Sequence, residues 1–375
     1  MKTLSLMTQK GINFMEKKWM KLALKIAKKG EGKVSPNPMV GAVITRDGQM
    51  IASGFHQYFG GPHAEVEAIK KAKDKVKGTT LYVTLEPCCH YGKTPPCTKK
   101  IIQSGIRRVV VATLDPNPLV SGKGVEELRT AGIDVDIGIC EEEAKEVNEA
   151  YLKFIKKRIP FVIVKVAASL DGKIATHLGE SKWITGSKSR DFAHRLRDKV
   201  DAILVGVNTV IKDNPSLLSP SQKHYIRVIL DSKLRISLEA QVLKDQDKAD
   251  TFIFTTHKAE KQKIKELNNR GVKIVMVKDE EERVDISEVL KKLGGLEIMK
   301  LLVEGGGEVI ASFFEKKFVD KLFLFFSPRI IGGRKTLSWV EGRGINFLKE
   351  SPWVKIDSLR RIGEDFLFEG HVNYI

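Results

Sequence analysis

His63, Glu65, Cys88 and Cys97 are the residues whose types and spacing carry the clearest chemistry. They stand in Pro62-His63-Ala64-Glu65, in Glu86-Pro87-Cys88, and at the end of a proline-rich insert. Imidazole and thiolate are good zinc ligands, and a catalytic zinc keeps three protein ligands and one water. His63, Cys88 and Cys97 supply the three. Zinc brings the pKa of its water towards neutrality. Glu65, two residues beyond the histidine, is placed to carry protons without ligating the metal. Together these are the parts for zinc-dependent hydrolytic deamination at an amidine carbon of a nucleobase-like ring. A closed structural zinc site would want a fourth ligand. Cys89 is available, but adjacent residues rarely aim at one ion, so it reads as a neighbour of the site. Cys140 reads as a small buried hydrophobe. Eight residues, Cys89–Pro96, separate the two cysteines where base deaminases commonly have two. His90 and Lys93 in this insert suit a phosphate; the plainer alternative is a solvated loop.

The elements that must position these residues follow from hydrophobic period and turn signals. Apolar residues at helical spacing predict a first helix over Lys17–Lys29, whose lysines leave open both a membrane-surface role and simple packing on a sheet. Residues 1–15 lack clear periodicity and read as a loose extension, with Met15 a possible alternative start. Strands are expected at Met39–Thr45 and Met50–Gly54 around the turn Asp47-Gly48, then at Thr79–Leu85, Arg107–Leu114 and Ile133–Ile139. Helices are expected at His63–Lys73, Cys97–Ser104, Gly124–Ala131 and Glu141–Ile155. The charged, proline-containing run 156–160 marks a boundary. Beyond it, strands are expected at Phe161–Ala167, Ala202–Gly206, Ile226–Leu230, Thr251–Thr255, Lys273–Val277, Lys300–Glu304 and Lys321–Phe326. The helices there are Ser187–Lys199, Lys258–Asn269, Ile286–Leu293 and Glu308–Lys316. Alternating strands and helices predict α/β layering in both halves, with domains over 15–156 and 160–375.

Composition bounds the rest. The 375 residues are 42% hydrophobic and 30% charged, which are globular proportions for two domains. No apolar run reaches the ~18 residues of a membrane span, and the lysine-rich start does not read as a secretory signal. Four cysteines, three of them clustered, suit a metal site in a reducing, cytoplasmic compartment. The net charge of +17 is spread along the chain, with 25 Lys/Arg against 17 Asp/Glu through residue 156 and 39 against 30 beyond it. Such a field favours anionic partners without choosing among them. A nucleic-acid base deaminase with an accessory domain, and a non-catalytic zinc-stabilised interaction protein, are the competing readings.

Several runs resemble the RibD family, the bifunctional deaminase/reductases of riboflavin biosynthesis. They are Ser35-Pro36-Asn37-Pro38-Met39-Val40-Gly41, His56 after Gly54, Pro-His-Ala-Glu, Thr84-Leu85-Glu86-Pro87-Cys88, Gly92-Lys93-Thr94-Pro95-Pro96-Cys97 and Asp115-Pro116-Asn117-Pro118. The second half adds Ala168-Ser169-Leu170-Asp171-Gly172-Lys173-Ile174-Ala175, Gly179-Glu180-Ser181-Lys182-Trp183-Ile184-Thr185, Asp213-Asn214-Pro215 and Val303-Glu304-Gly305-Gly306-Gly307. The resemblance runs from about Met15 to the C-terminus. It implies a cytidine-deaminase-like three-layer α/β/α domain followed by a dihydrofolate-reductase-like α/β domain. It also implies Zn²⁺ and NADPH as cofactors, phosphorylated pyrimidine substrates, no nucleic-acid or membrane partner, and a homo-oligomer (dimer or tetramer).

The resemblance also implies site residues. Zinc falls on His63, Cys88 and Cys97, and the proton shuttle on Glu65. The deaminase substrate, a diaminopyrimidinone with a phosphoribosylamino group, would meet Asn37, His56, His90, Lys93 and Asn117. Asn37 and Asn117 each precede proline and also suit an Asx turn. In the second half the substrate set is Lys165, Ser181, Arg197, Leu217 and Glu304. The cofactor set is Ala167, Trp183, Thr209, Asp213, Ser232 and the loop 306–312 with Gly306 and Gly307. Arg197 also reads as a solvated helix charge, Lys165 as a strand-face lysine, and Trp183 equally as core. The reductase proton donor is open between Lys165, Glu304 and water. One departure stands out. After Leu217 the family often has an arginine for the substrate phosphate, where this chain has Ser219-Pro220-Ser221, so that either Lys223 or another base substitutes or the reductase grips its phosphate less tightly.

Overall fold

The structure is a computed structural model that describes the backbone of residues 2–221 and 223–375 and the side chains of residues 14–221 and 223–375. The chain divides into two units, Met1–Arg158 and Ile159–Ile375.

In the first unit the elements run α1 (Lys2–Ala27), β1 (Gly41–Arg46), β2 (Gln49–Phe55), α2 (Ala64–Ala72), β3 (Thr80–Val83), α3 (Cys97–Ser104), β4 (Arg108–Val111), α4 (Lys123–Thr130), β5 (Asp134–Ile137), α5 (Glu141–Val147) and α6 (Glu149–Lys157). The sheet order is β2-β1-β3-β4-β5, with β1 antiparallel to both neighbours and β3, β4 and β5 parallel. Because side chains alternate across a strand, Ala42, Ile44, Leu81, Val83, Val109 and Val111 pack on one face with Ala68 of α2, Ile101 of α3 and Leu128 of α4. Val43, Tyr82 and Val110 pack on the other face with Met20 and Ala23 of α1 and Ala144 of α5. Burial on both faces is why these strands read as continuous apolar runs. The expected three layers are present.

Two details differ from the sequence expectation. The first helix begins at Lys2, upstream of Lys17. The single helix expected over Glu141–Ile155 is broken at Asn148. Its side chain accepts from Met39 N at 2.8 Å and donates to Met39 O at 2.9 Å, tying the break to the segment beside Asn37.

The second unit runs β6 (Phe161–Ser169), α7 (Ser187–Arg197), β7 (Ala202–Gly206), α8 (Val207–Asp213), β8 (Ile226–Leu230), β9 (Asp250–Thr255), α9 (Lys261–Asn269), β10 (Lys273–Met276), β11 (Asp279–Glu280), β12 (Arg283–Val284), α10 (Ile286–Gly295), β13 (Lys300–Val303), α11 (Gly307–Glu315), β14 (Lys321–Ser327), β15 (Trp353–Ile362) and β16 (Asp365–Asn373). Nine strands form one sheet in the order β10-β9-β8-β7-β13-β6-β14-β16-β15. It is parallel from β10 to β14 and closes with an antiparallel hairpin. Leu290 of α10 and Phe313 of α11 cover one face, and Leu196 of α7 and Leu267 of α9 cover the other. The helix α8 and the strands β11, β12, β15 and β16 are additions to the sequence expectation.

Candidate functional site

His63 occupies the N-cap of α2 in an extended conformation, Cys88 follows the carboxyl end of β3, and Cys97 opens α3. Their ligand atoms lie within 4.8 Å of one another. His63 Nδ1 stands 3.2 Å from Cys97 Sγ and 3.5 Å from Cys88 Sγ, so Nδ1 is the nitrogen that faces the sulfurs. Its Nε2 meets Thr94 Oγ1 at 3.3 Å. The hydrogen bond from Cys97 pulls the Cys88 thiol strongly towards thiolate, while the same bond and burial push Cys97 up. One nitrogen and two sulfurs fit a zinc ion. Among the described residues no fourth His, Cys, Asp or Glu joins the group. Cys89 instead points its sulfur at Leu119 O, 3.7 Å away, and Cys140 is a buried member of the α1 face.

Glu65 lies in the first turn of α2 and is 3% exposed. Burial raises its pKa, and His63 opposes the shift. A carboxyl raised this way is a stronger proton acceptor than an ordinary carboxylate, as a proton shuttle requires. Beside it, the ring centroids of His56 and His63 are 5.3 Å apart. His56 Nδ1 donates to Pro62 O at 3.0 Å, which makes Nε2 the acceptor for Asn37 Nδ2, also at 3.0 Å. Burial lowers the His56 pKa, favouring the neutral ring this relay requires.

The other expected contacts sit as follows. Asn117 forms the Asx turn: its N–H donates to Asp115 Oδ1 at 2.9 Å, and its Oδ1 accepts from Leu119 N at 3.1 Å. His90 Nδ1 is buried with no hydrogen-bond partner among the described residues. Lys93 Nζ lies 3.7 Å over the Phe59 ring. Two residues escaped the sequence reading. Thr94 touches a metal ligand, although its place in Gly-Lys-Thr-Pro-Pro-Cys was the signal available. Glu86, 3% exposed, accepts from the N–H groups of Asp115, Gly122, Gly124 and Val125 at 3.2, 2.9, 3.0 and 3.2 Å. That carboxylate, two residues before Cys88, ties the ligand loop to the N-terminus of α4 and the Asn117 segment.

In the second unit, Lys165, Ser181, Arg197, Leu217 and Glu304 line one cavity of ≈ 680 Å³ together with Ala167, Trp183, Thr209, Asp213 and Gly306. Thr209 and Gly306 continue into a second cavity of ≈ 690 Å³, where they join Ser232, Gly307 and Ser312. The whole expected substrate set falls in the first cavity, and the cofactor set spans both. Trp183 is 62% exposed, which excludes the core role, and the Arg190 guanidinium lies 4.4 Å over its ring. Arg197 makes a two-pronged pair with Glu304, at 2.9 and 3.2 Å. Burial alone would raise the Glu304 carboxyl, but Arg197 and then Lys165 outweigh it and hold it at about 2. Burial lowers the Lys165 pKa against the pull of Glu304. Arg197 is thus neither solvated nor unpaired.

The second cavity fits a dinucleotide. A Cβ on Gly306 would meet nothing nearer than Thr209 Oγ1 at 4.0 Å, so the backbone opening α11 lies bare to the cleft. Lys233, Arg235 and Arg283 stand on the lining and suit phosphates. Of the bases expected in place of the missing arginine, Lys223 lies off the first cavity. Ser219 and Ser221 turn their hydroxyls to Asp198. Lys223 donates to Val200 O at 2.8 Å and is not on the cavity lining. The cations that do line it are Lys165, Lys182, Arg190 and Arg197.

Comparison with known proteins covers both units. Residues 15–113 match the cytidine and deoxycytidylate deaminase zinc-binding region, and residues 160–368 match the RibD C-terminal domain. The riboflavin biosynthesis protein RibD of Aquifex aeolicus is 48% identical over 359 residues, 95% of this chain and 98% of that protein. That of Escherichia coli is 34% identical over 366 residues, 92% and 96% of the two chains. A Thermotoga maritima structure described as a diaminohydroxyphosphoribosylaminopyrimidine deaminase/5-amino-6-(5-phosphoribosylamino)uracil reductase superposes with a TM-score of 0.85. It is 41% identical, and the match covers 96% of this chain and 99% of that one.

Proposed function

We propose a residue-level mechanism from one premise: the chain belongs to the RibD family. It is a bifunctional enzyme of riboflavin biosynthesis, a zinc-dependent deaminase in its first unit and an NADPH-dependent reductase in its second. The observation that carries the first reaction is the open three-donor group with a buried carboxyl beside it.

In the deaminase, His63, Cys88 and Cys97 would hold the zinc. When bound, the metal acidifies water and so supplies the nucleophile for the ring carbon that bears the 2-amino group. Glu65 takes the water's proton and returns protons to the ring nitrogen and the departing amine, so ammonia leaves and the uracil forms. Asn37, fixed by His56, reads the ring edge. Asn117 has committed its oxygen to its own turn and offers its N–H groups. His90 and Lys93 hold the phosphoribosyl end.

In the reductase, Thr209, Asp213, Ser232, Gly306 and Gly307 would seat NADPH, with Ala167 and Trp183 beside them. The cofactor supplies a hydride to C1′ of 5-amino-6-(5-phosphoribosylamino)uracil. Delivery at C1′ opens the ribosyl ring, so the ring oxygen needs a proton. Glu304, held ionised by Arg197, is a poor donor. Lys165, whose pKa burial lowers, is the better one. Ser181 and Leu217 line the substrate's side of the cleft.

The test is Glu65→Gln in the full chain. Ammonia release falls by roughly 10²–10⁴-fold, the loss of a general acid–base. Zinc content, and NADPH oxidation with the uracil supplied, stay at the parent level. Ammonia release at the parent rate refutes the assignment of Glu65.

A further inference from the structure

We propose that Asp171 and Lys173 are positioning residues of the reductase, which hold the segment 329–341 as the outer wall of the second cleft and so set its grip on the nicotinamide cofactor. This rests on that cleft being the cofactor's. The segment between β14 and β15 is long, and only two of its residues, Leu337 and Glu341, line the cleft. Its position therefore has to be set from elsewhere, and the turn after β6 supplies the contacts.

Asp171 is the centre of that turn. Its Oδ1 accepts from Ser169 Oγ at 2.6 Å and from Ile331 N at 3.0 Å, and its Oδ2 accepts from Gly332 N at 2.7 Å. Those bonds, led by the one from Ser169, hold its carboxyl at about 2, so it is an acceptor at every working pH. Lys173 Nζ reaches Ser338 Oγ at 3.1 Å and Thr336 O at 3.4 Å. The backbone adds Leu170 N to Arg329 O at 2.8 Å, Ile174 N to Leu337 O at 3.0 Å and Trp339 N to Gly172 O at 3.1 Å. Gly172 sits at φ +78, where other residues are strained, and a Cβ there would meet the Trp339 ring at ordinary contact distance.

The wall's far side rests on the opening of α11. A Cβ on Gly307 would lie 2.4 Å from Ser338 O, and Glu341 N donates to Gly307 O at 3.3 Å. A chain of contacts thus runs from Asp171 and Lys173, through 331–341, to the turn that offers bare backbone to the cofactor. Neither Asp171 nor Lys173 lines either cleft. Their effect passes through the wall.

The experiment uses the full chain with Asp171→Asn, Lys173→Met and Lys173→Arg, and Gly306→Val as a direct filler of the cleft. NADPH affinity is read by fluorescence titration, KM is measured separately for NADPH and for the uracil substrate, and hydrogen exchange of the 331–339 amides is followed without cofactor. Asp171→Asn turns an amide N–H₂ towards a backbone N–H, and Lys173→Met removes two bonds. Both are expected to weaken NADPH binding by about tenfold, the scale of one to two charged hydrogen bonds. KM for the uracil and ammonia release stay at the parent values, and amide protection at 331–339 falls. Lys173→Arg restores binding. Should Asp171→Asn fail to fold, Lys173→Met carries the same expectation. Parent NADPH affinity in the folded variants overturns the proposal, as does unchanged amide protection. If Gly306→Val also binds NADPH normally, it is the cofactor reading of the cleft that fails; if Gly306→Val weakens binding and the other variants do not, the positioning role alone fails.

Discussion

At Glu304 three effects compete. Burial disfavours the carboxylate, and the Arg197 guanidinium and Lys165 ammonium favour it strongly enough to hold the group at about 2. A carboxyl held below its unfolded value contributes stability that is full above the unfolded pKa and is lost as pH falls towards the folded one. The parent pair therefore stabilises the second unit at neutral pH and weakens between roughly pH 4.5 and 2. Arg197→Met leaves the carboxylate buried beside Lys165 alone, and breaking such a pair costs about 3–5 kcal/mol. The sign of the pH dependence then reverses. With its folded pKa raised, Glu304 destabilises at pH 7 and is relieved on protonation. Thermal melts of Arg197→Met should rise from pH 7 to pH 5, where the parent's do not; a parallel response in both proteins counts against the pairing. The family resemblance alone marked each of these residues as an expected substrate contact. Their pairing was not legible, since 107 positions separate them and only the sheet order brings β13 beside the cleft face of α7. His63, Cys88 and Cys97 were legible because metal coordination restricts residue type as well as spacing. Thr94 serves the same site through a hydroxyl that many roles would suit.

At the scale of elements, what places Cys88 is a helix end as much as a strand end. Glu86 sets its carboxylate on the N–H groups opening α4, where the helix dipole also favours a negative charge. The packing leaves no slack: a Cβ on Gly124 would lie 2.1 Å from Pro87 O. Gly124→Ala must push the Pro87-Cys88 segment away from α4. The expected result is zinc loss during dialysis that the parent resists and a fall in ammonia release of at least about tenfold, in line with losing support around a metal ligand. NADPH oxidation stays unchanged. Normal zinc retention would mean the ligand loop adjusts freely and Glu86 merely caps a helix. β7 and β8 fall at their expected bounds because all or nearly all of their residues are buried. β15 exposes most of its residues, with Lys355, Asp357, Arg360 and Arg361 among them, and has no period to detect. The break at Asn148 was hidden because its cause is an amide bonded to Met39, 109 residues away.

At the scale of the whole chain, each unit carries its own sheet and its own pair of apolar faces, and none of the four buried clusters mixes residues from both. The three zinc donors all belong to the first unit, bracketing its sheet through the starts of α2 and α3 and the end of β3. Binding energy at a metal site is also folding energy for the elements it joins. Chelation should therefore act on one unit. In the full chain, removing zinc is expected to stop ammonia release and lower the first unit's melting transition. NADPH oxidation with the uracil supplied should continue at the parent rate, and the second unit's transition should stay in place. Restoring zinc should return ammonia release without a change in the reductase rate. Differential scanning calorimetry with and without chelator reads the transitions, and ammonia and NADPH absorbance read the two reactions in one sample. A chelator that silenced both reactions would mean that the ion supports more than the elements it touches, and the separation into two self-sufficient cores would have to be given up.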